Sequence, residues 1–351
     1  MQIALIGWQG SGKSTLFTAL TGAETSIGET VHPGVANVPD RRLDELHLIF
    51  PPAKKIPARV NYLDIAGLAH SDQRSGFKRS MINHLQGSQL LVTVIGVFHL
   101  GWENPDEIVN TIITEAKEID DELILSDLGI AENRLERVEL NKKRGVKTDP
   151  QERILLEEML AALNTETPLR DITLAGDQEK MIRSFAFLTQ KQELLVVNIS
   201  EDQPADDLKR LLESKLPGRR IEIINAGLEA EIARLDEEDR SDFMAEMGID
   251  TAASDRIIQA GFEMLDLICF FTIGDDEVRA WQVPSGISAV KAAGEIHSDL
   301  ERGFIRAEIA PSENFLELKT FSACRDKGLL RLEGKDYIIR DGEIMHVRFA
   351  V

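Results

Sequence analysis

A glycine-rich octapeptide near the start of the chain leaves few folds open. Residues 7–14 read Gly-Trp-Gln-Gly-Ser-Gly-Lys-Ser and satisfy the pattern G-x-x-x-x-G-K-[ST]. An apolar run that favours a β-strand precedes them, and an amphipathic stretch over residues 13–20 favours a helix. Glycines in this context let successive backbone N–H groups turn towards a phosphate, to which the helix N-terminus adds partial positive charge. The octapeptide therefore predicts a phosphate-binding loop between a strand and a helix of an α/β domain.

The loop also predicts roles for its side chains. Lys13 would bridge the outer phosphates of a nucleotide, and Ser14 would be a ligand of Mg²⁺. A glycine-rich turn that binds nothing is the alternative, but it leaves the register of strand, helix and Lys-Ser pair unexplained. We assign nucleotide binding to Gly7, Gln9, Gly10, Ser11, Gly12, Lys13, Ser14 and Thr15.

A second motif is expected to complete a metal site. Asp64-Ile65-Ala66-Gly67 ends an apolar strand as a D-x-x-G element, although Asp64 taken alone could also cap a helix. Asp64 would hold the water shell of the metal. The backbone N–H of Gly67 could bind the terminal phosphate, so the loop after it should respond to that phosphate. Thr30, in a turn-rich segment, could add a hydroxyl, or it could be a plain loop residue. The predicted metal ligands are Ser14, Thr30 and Asp64.

Base recognition is predicted after a later strand. A guanine-specific protein of this type would carry N-K-x-D there, and this chain has Asn198-Ile199-Ser200-Glu201 instead. Glu201 is one methylene longer than Asp, and Ile199 cannot replace the lysine stem that covers the ring. Adenine lacks the 2-amino donor and loses less by this change, so ATP is expected to be favoured over GTP. Ala226 and Gly227 are placed to wrap the far edge of the base.

The apolar pattern predicts a nucleotide domain with one insertion and one appended domain. Strand-like and helix-like segments alternate up to about residue 100 and again from residue 193, which is typical of a parallel sheet wrapped by helices. Residues 106–163 have the three- and four-residue apolar spacing of two long antiparallel helices. Short β-like runs dominate at the C-terminal end. The predicted domains are residues 1–118 with 181–264 for nucleotide binding, 119–180 for a helical, coiled-coil-like insertion, and 265–351 for a small α+β domain.

Composition excludes several classes of protein. The 40 basic and 60 acidic residues leave a formal net charge of −20, which disfavours non-specific binding to DNA or anionic lipid. No run approaches the ~18 apolar residues of a membrane span. The first residues read as a strand and not as a targeting peptide, so we expect a cytoplasmic protein. Residues 132–147 are locally basic, with six Lys/Arg against three Glu, although such a run usually marks a solvated helix face.

The order of these motifs resembles the YchF-type, Obg-related P-loop NTPases, also called Obg-like ATPases. The likeness extends along nearly the whole chain and includes Pro39-Asp40-Arg41-Arg42-Leu43 and Gly303-Phe304-Ile305-Arg306-Ala307-Glu308. The resemblance implies a Ras-like, Obg-type nucleotide domain, a C-terminal TGS domain, a preference for ATP, a metal-ligating role for Thr30 and ties to the ribosome. Gly10-Ser11 stand where the family usually has Asn-Val, so we expect a divergent member.

The residue after D-x-x-G predicts slow hydrolysis. Many related GTPases place a glutamine there to orient the attacking water, whereas this chain has Leu68, whose aliphatic side chain cannot polarise water. We expect Lys13 and Gly67 to act at the phosphates. His70 or Arg74 in the following loop, or a partner, would supply acceleration, although a histidine in a polar loop is more often only solvated.

These features together favour a Mg²⁺-dependent switch that binds ATP, or less well GTP. Its phosphate state would reposition the helical insertion and the C-terminal domain, and both could contact the ribosome or its RNA in translation or stress. Two alternatives stay open. One is a small-molecule P-loop kinase, against which the D-x-x-G and base-reading elements argue. The other is a ribosome-associated scaffold that binds nucleotide without cleaving it.

Overall fold

The computed structural model of the chain describes residues 1–25, 30–50, 54–68 and 79–350, apart from the side chains of residues 79, 80, 237 and 238. Within this part the chain forms two compact units. The first comprises Met1–Gly34 and Asn61–Arg256, and the second comprises Val35–Val60 and Ile257–Val351. Each unit contains a sheet of its own.

Strands and helices alternate along much of the chain. The strands are β1 (Gln2–Ile6), β2 (Val31–Asn37), β3 (Lys54–Ile56), β4 (Arg59–Ile65), β5 (Leu90–Gly96), β6 (Gln192–Asn198), β7 (Arg220–Ile224), β8 (Leu267–Ile273), β9 (Glu277–Pro284), β10 (Phe304–Pro311), β11 (Arg331–Glu333) and β12 (Glu343–Phe349). The helices are α1 (Lys13–Thr21), α2 (Arg41–Ile49), α3 (Arg79–Gly87), α4 (Pro105–Lys143), α5 (Pro150–Asn164), α6 (Gly176–Ile182), α7 (Ala205–Lys215), α8 (Ala226–Ile232), α9 (Glu237–Glu246), α10 (Ala253–Met264), α11 (Ala289–Ile296), α12 (Ser298–Arg302), α13 (Ser312–Leu318) and α14 (Phe321–Asp326). Short 3₁₀ turns lie at Leu169–Asp171 and Arg183–Phe185. Among the residues described, no helix is both long enough and apolar enough to cross a membrane.

The sheet of the first unit has the order β2-β4-β1-β5-β6-β7. β1 pairs in parallel with β4 and β5, β5 with β6, and β6 with β7. This confirms the predicted parallel α/β sheet. β5 is buried along its whole length, as expected of a central parallel strand. β2 contains Pro33 and lies at the edge of the sheet, the position in which sheets tolerate proline.

A long helical hairpin is inserted between β5 and β6. Asn104 caps α4, accepting a hydrogen bond from the backbone N–H of Glu107, and Pro105 occupies the first turn. The first part of α4 packs on the sheet through residues such as Ile112, whereas its later part packs against α5 through residues such as Val138. The predicted boundary at residue 119 therefore lies inside one continuous helix. The separate insertion domain remains a prediction.

The second unit is a mixed sheet with the order β11-β10-β12-β8-β9-β3. β10 runs antiparallel to β11 and β12, β8 runs antiparallel to β9, and the β12–β8 and β3–β9 pairs are parallel. α2 is held in this unit by Arg42, whose guanidinium donates to Asp341 Oδ2 at 2.6 Å and to Asp40 Oδ2 at 2.8 Å. The unit is α+β, as predicted.

The segment Val35–Val60 differs from the prediction, which places it in the nucleotide domain. It belongs to the second unit, where β3 pairs with β9 in the register Lys54↔Glu277 to Ile56↔Arg279. A strand of three residues has no measurable alternation of apolar and polar side chains, so its partner cannot be inferred from local pattern. The segment can be assigned to the second unit only from its contacts with residues distant in sequence, such as the pairing of β3 with β9.

Candidate functional site

The predicted phosphate-binding residues form a tight turn between β1 and α1. Gly7 and Gly12 have φ values of 149° and 90°, a region that residues with side chains rarely adopt. A Cβ on Gly7 would overlap the backbone oxygen of Val94, and a Cβ on Gly12 would overlap the side-chain amide of Asn198. The two glycines therefore allow the loop to approach β5 and the end of β6 closely.

Lys13 is buried beside this turn. Its side chain is 5% exposed, and Nζ donates to the backbone oxygen of Trp8 at 2.8 Å. Burial lowers the pKa of Lys13 to about 8, while the nearby charge of Asp64 acts in the opposite direction. A Cβ on Gly67 would stand 2.9 Å from Nζ, so the two residues predicted to meet the terminal phosphate are neighbours. The ammonium retains N–H donors for an anion.

Ser14 and Asp64, two of the predicted metal ligands, are in direct contact. Ser14 Oγ donates to Asp64 Oδ2 at 2.7 Å. Asp64 is 3% exposed, and its Oδ1 is buried with no hydrogen-bond partner among the described residues. A buried carboxylate oxygen with unused acceptor capacity, next to a serine hydroxyl, suits a hard cation that keeps part of its water shell. The residues present therefore fit Mg²⁺.

The third predicted ligand, Thr30, reaches this region through its backbone. Thr30 O accepts from the Ala66 N–H at 2.9 Å, whereas the Thr30 residue is exposed. His32, a site residue that no sequence motif indicates, has Nδ1 3.7 Å from Asp64 Oδ2. β2 thus brings His32 to the carboxylate, and Thr30, just before β2, contacts the backbone two residues after Asp64. The hydroxyl of Thr30 as a metal ligand stays a prediction.

The chain after Gly67 is tied to the phosphate loop by a short parallel bridge. The Leu68 N–H donates to Gly7 O at 3.1 Å, and the Gln9 N–H donates to Leu68 O at 2.8 Å. Leu68 is 8% exposed and packs in an apolar cluster. A buried aliphatic side chain at this position cannot orient a water molecule. His70 and Arg74, the predicted alternatives, lie outside the described residues.

Asn198 connects the base-reading segment to the phosphate loop. Its Nδ2 donates to Ser11 O at 3.2 Å, and its Oδ1 accepts from the Ala226 N–H at 3.0 Å. The residue is 5% exposed. Because these bonds engage both ends of the amide, Asn198 fixes the geometry of the loop, β6 and α8 in addition to any contact with a base.

The other predicted base contacts differ in exposure. Ile199 is 6% exposed and its side chain lies in the apolar core, so any contact with a base would use its backbone oxygen. The Ile199 N–H already donates to Ile224 O at 2.8 Å. Glu201 and Gly227 are exposed, whereas Ala226 is buried. Glu201 is thus exposed, and its contact with a base stays a prediction.

Two further residues at this end of the sheet are not predicted by any motif. Phe98, just beyond β5, is 41% exposed, and its ring atom Cε1 lies 2.9 Å from where a Cβ on Gly96 would stand. The same hypothetical Cβ would be 2.7 Å from Ser11 O, so an exposed ring lies close to the phosphate loop. A base could stack on such a ring. The apolar run that continues past the end of β5 is its only sequence signal. The second residue, Gln203, is 4% exposed, and no sequence signal points to it.

Two family models match the chain. One is described as a 50S ribosome-binding GTPase and matches residues 2–126. The other, YchF-GTPase_C, is described as a protein of unknown function and matches residues 267–350. The matches fall on the sheet that carries the phosphate loop and on the C-terminal sheet.

Full-length relatives are also similar to this chain. The protein named Ribosome-binding ATPase YchF from Escherichia coli O157:H7 is 36% identical over 365 residues, covering 99% of this chain and 98% of its own. The protein of that name from Bacillus subtilis is 34% identical over 366 residues, with the same coverage. The solved structure of the Schizosaccharomyces pombe YchF GTPase matches with a TM-score of 0.82 at 24% identity, covering 99% of this chain and 97% of that one. The structural match shows a shared fold.

Proposed function

The chain belongs to the YchF family, and from this membership we propose that it is a Mg²⁺-dependent NTPase that prefers ATP to GTP and works with the ribosome. The relatives are named ribosome-binding ATPases, and the fold is that of a P-loop NTPase. Family membership also argues against the small-molecule kinase alternative. A cytoplasmic location and a C-terminal TGS domain agree with this proposal and remain predictions.

The contact between the phosphate loop and the D-x-x-G element carries the proposal. Lys13 Nζ, Gly67 and the Ser14–Asp64 pair lie together, with an unpaired carboxylate oxygen among the described residues. Lys13 would bind the outer phosphates, and Ser14 with Asp64 would hold the metal. Mg²⁺, when bound, would neutralise charge on the phosphate oxygens. This arrangement supports the binding of a nucleoside triphosphate.

The base-reading end supports a preference for adenine. Phe98 offers a stacking surface, and Glu201 leaves an exposed carboxylate at the end of the Asn198 segment. The longer Glu side chain and the buried Ile199 depart from the N-K-x-D geometry that suits guanine. Adenine has no 2-amino group, so its binding depends less than that of guanine on the lysine and aspartate contacts that this segment lacks.

Slow hydrolysis in the absence of a partner follows from Leu68. It is buried and apolar at the position where a water-orienting group would be required. Lys13 and the Gly67 N–H can stabilise phosphate charge, but neither can accept a proton from water. We therefore expect the ribosome, or a group in the loop after Leu68, to supply the acceleration.

A switch role is supported by the course of the chain between Thr30 and Asp64. Residues Val35–Val60 lie between these two predicted metal ligands in sequence and pack within the second unit. A few residues of chain therefore join each ligand to that segment. Loss of the terminal phosphate would release Thr30 and Asp64 and so act on both connections.

The tip of the α4–α5 hairpin is the proposed surface for ribosomal RNA. Its exposed basic residues are Arg137, Lys142, Lys143, Arg144 and Lys147. Leu140 and Val146 beside them are 44% and 53% exposed. Concentrated positive charge on a protein of net charge −20 favours contact with a polyanion at this tip rather than over the whole surface.

Equilibrium binding tests the nucleotide proposal. ATP and GTP analogues are titrated with and without Mg²⁺ into the wild-type chain, Lys13→Ala and the exposed control Lys180→Ala. Wild type and the control should bind ATP more tightly than GTP, with Mg²⁺ required, and Lys13→Ala should lose about 100-fold or more in affinity. Tight GTP binding with undetectable ATP binding would overturn the base preference. Unchanged binding by Lys13→Ala would overturn the site.

A further inference from the structure

Gln203 is a buried polar residue that joins two loops at the carboxyl end of the first sheet. It is 4% exposed although it lies two positions after Glu201 in a polar segment. One of the loops follows β5 and carries Phe98, and the other follows β6 and carries Glu201. Both are the loops expected to meet a purine.

The side-chain amide of Gln203 is fully used by backbone groups of these loops. Oε1 accepts from the Ser200 N–H at 2.9 Å. Nε2 donates to Val97 O at 3.0 Å and to Leu100 O at 2.8 Å. Because the β5 loop offers carbonyl oxygens and the β6 loop offers an N–H, only one orientation of the amide satisfies all three bonds. Glutamine is the neutral side chain with this combination of one acceptor and two donors at this length.

These bonds tie together the backbone segments that carry the exposed ring of Phe98 and the exposed residue Glu201. Val97 and Leu100 flank the turn that contains Phe98, and Ser200 immediately precedes Glu201. A backbone bond from the Val97 N–H to Asn198 O at 2.9 Å joins the loops nearer the sheet. Gln203 joins them further out, and the two loops border a cleft of about 640 Å³. Its described hydrogen bonds do not involve residues 7–14.

We propose that Gln203 is a positioning residue for purine recognition. It holds Phe98 and Glu201 at a fixed separation, so that one base can stack on the ring while its edge meets the carboxylate. The inference rests on the proposed nucleotide function of the same site. Its specific consequence is that Gln203 affects the base-dependent part of binding and leaves the phosphate-dependent part unchanged.

Gln203→Met tests this inference, because methionine keeps the length and approximate volume and removes the hydrogen bonds. Binding of MgATP, MgGTP and inorganic tripolyphosphate is measured for wild type, Gln203→Met and the control Gln192→Met, an exposed residue at the opposite end of β6. Gln203→Met should lose about tenfold or more in ATP affinity and should discriminate less between ATP and GTP. Its tripolyphosphate affinity, and all three affinities of the control, should match wild type.

The outcomes separate the inference from the function on which it rests. Equal losses of ATP and tripolyphosphate affinity, or no loss of ATP affinity, would overturn the role of Gln203. A wild-type chain that binds none of the three ligands would instead overturn the proposed function and the inference with it. Wild-type amide exchange gives a measurement that does not depend on the folding of a variant. ATP should protect residues 97–100 and 198–203 more than tripolyphosphate does, and equal protection would again overturn the inference.

Discussion

At the scale of single residues, the buried lysine of the phosphate loop should make nucleotide binding depend on pH. Burial lowers the pKa of Lys13 to about 8, so the nucleotide-free chain loses the ammonium as the pH rises through that value. Raising the pH from about 7 to about 9 should weaken MgATP binding by about tenfold, measured by equilibrium titration. Lys13→Arg stays charged over this range and should show a flatter profile. A pH-independent affinity in wild type would contradict the prediction.

The same pKa shift has the opposite consequence for stability. The unfolded chain keeps a lysine pKa near 10.5, so between about pH 8 and that value the unfolded state holds more protons than the folded state. The free energy of unfolding of the nucleotide-free chain should therefore gain a contribution as the pH rises across this window. Chemical denaturation at several pH values measures it, and Lys13→Ala should lack this contribution.

Asn198 is expected to stabilise the site as well as to read a base. Asn198→Ala removes the bonds to Ser11 O and the Ala226 N–H and leaves both groups buried. The expected loss is about 2 kcal/mol in the free energy of unfolding, measured by urea denaturation, together with weaker ATP binding. The exposed Asn110→Ala on α4 is the control and should change neither quantity. Unchanged stability in Asn198→Ala would contradict the bridging role.

At the scale of elements, the long helix α4 is anchored to the segment before β6 by a buried carboxylate. Asp127 is 0% exposed and accepts from the Leu188 N–H at 2.8 Å, and from the N–H and Oγ1 of Thr189, each at 2.7 Å. Burial raises the pKa of Asp127 to about 6, although these hydrogen bonds favour the ionised form. The carboxylate therefore supplies the hydrogen-bond acceptors for two buried backbone N–H groups that would otherwise be unpaired.

Asp127→Ala should remove the hydrogen bonds that join α4 to Leu188 and Thr189. Two backbone N–H groups would be left buried and unpaired, so the free energy of unfolding is expected to fall by about 3 kcal/mol, measured by urea denaturation. Amide exchange of Leu188 and Thr189 should become faster. Glu118→Ala, exposed on the same helix, serves as the control and should leave both measurements unchanged. Equal stability of the two variants would show that the anchor contributes little.

At the scale of the whole molecule, the distribution of charge should decide how the chain meets RNA. Reversing Lys142, Lys143 and Arg144 at the hairpin tip to Glu should abolish co-sedimentation with ribosomes, and wild-type binding should weaken as salt rises. The control reverses the exposed residues Lys180, Lys215 and Lys327 and changes the net charge by the same amount. Retained binding by the tip variant, or equal loss in both variants, would contradict a specific contact at the tip.

Several features of this protein can be predicted from a few consecutive residues. The phosphate loop, the D-x-x-G element and the parallel βα order follow from glycine positions and apolar periodicity, which act locally on backbone conformation. Contacts between distant parts of the chain are visible only in the folded structure. It placed Val35–Val60 in the second unit, turned Ile199 into the core and joined Gln203 to a carbonyl 106 positions away. Such pairings depend on neighbours brought together by folding, for which local spacing carries no signal.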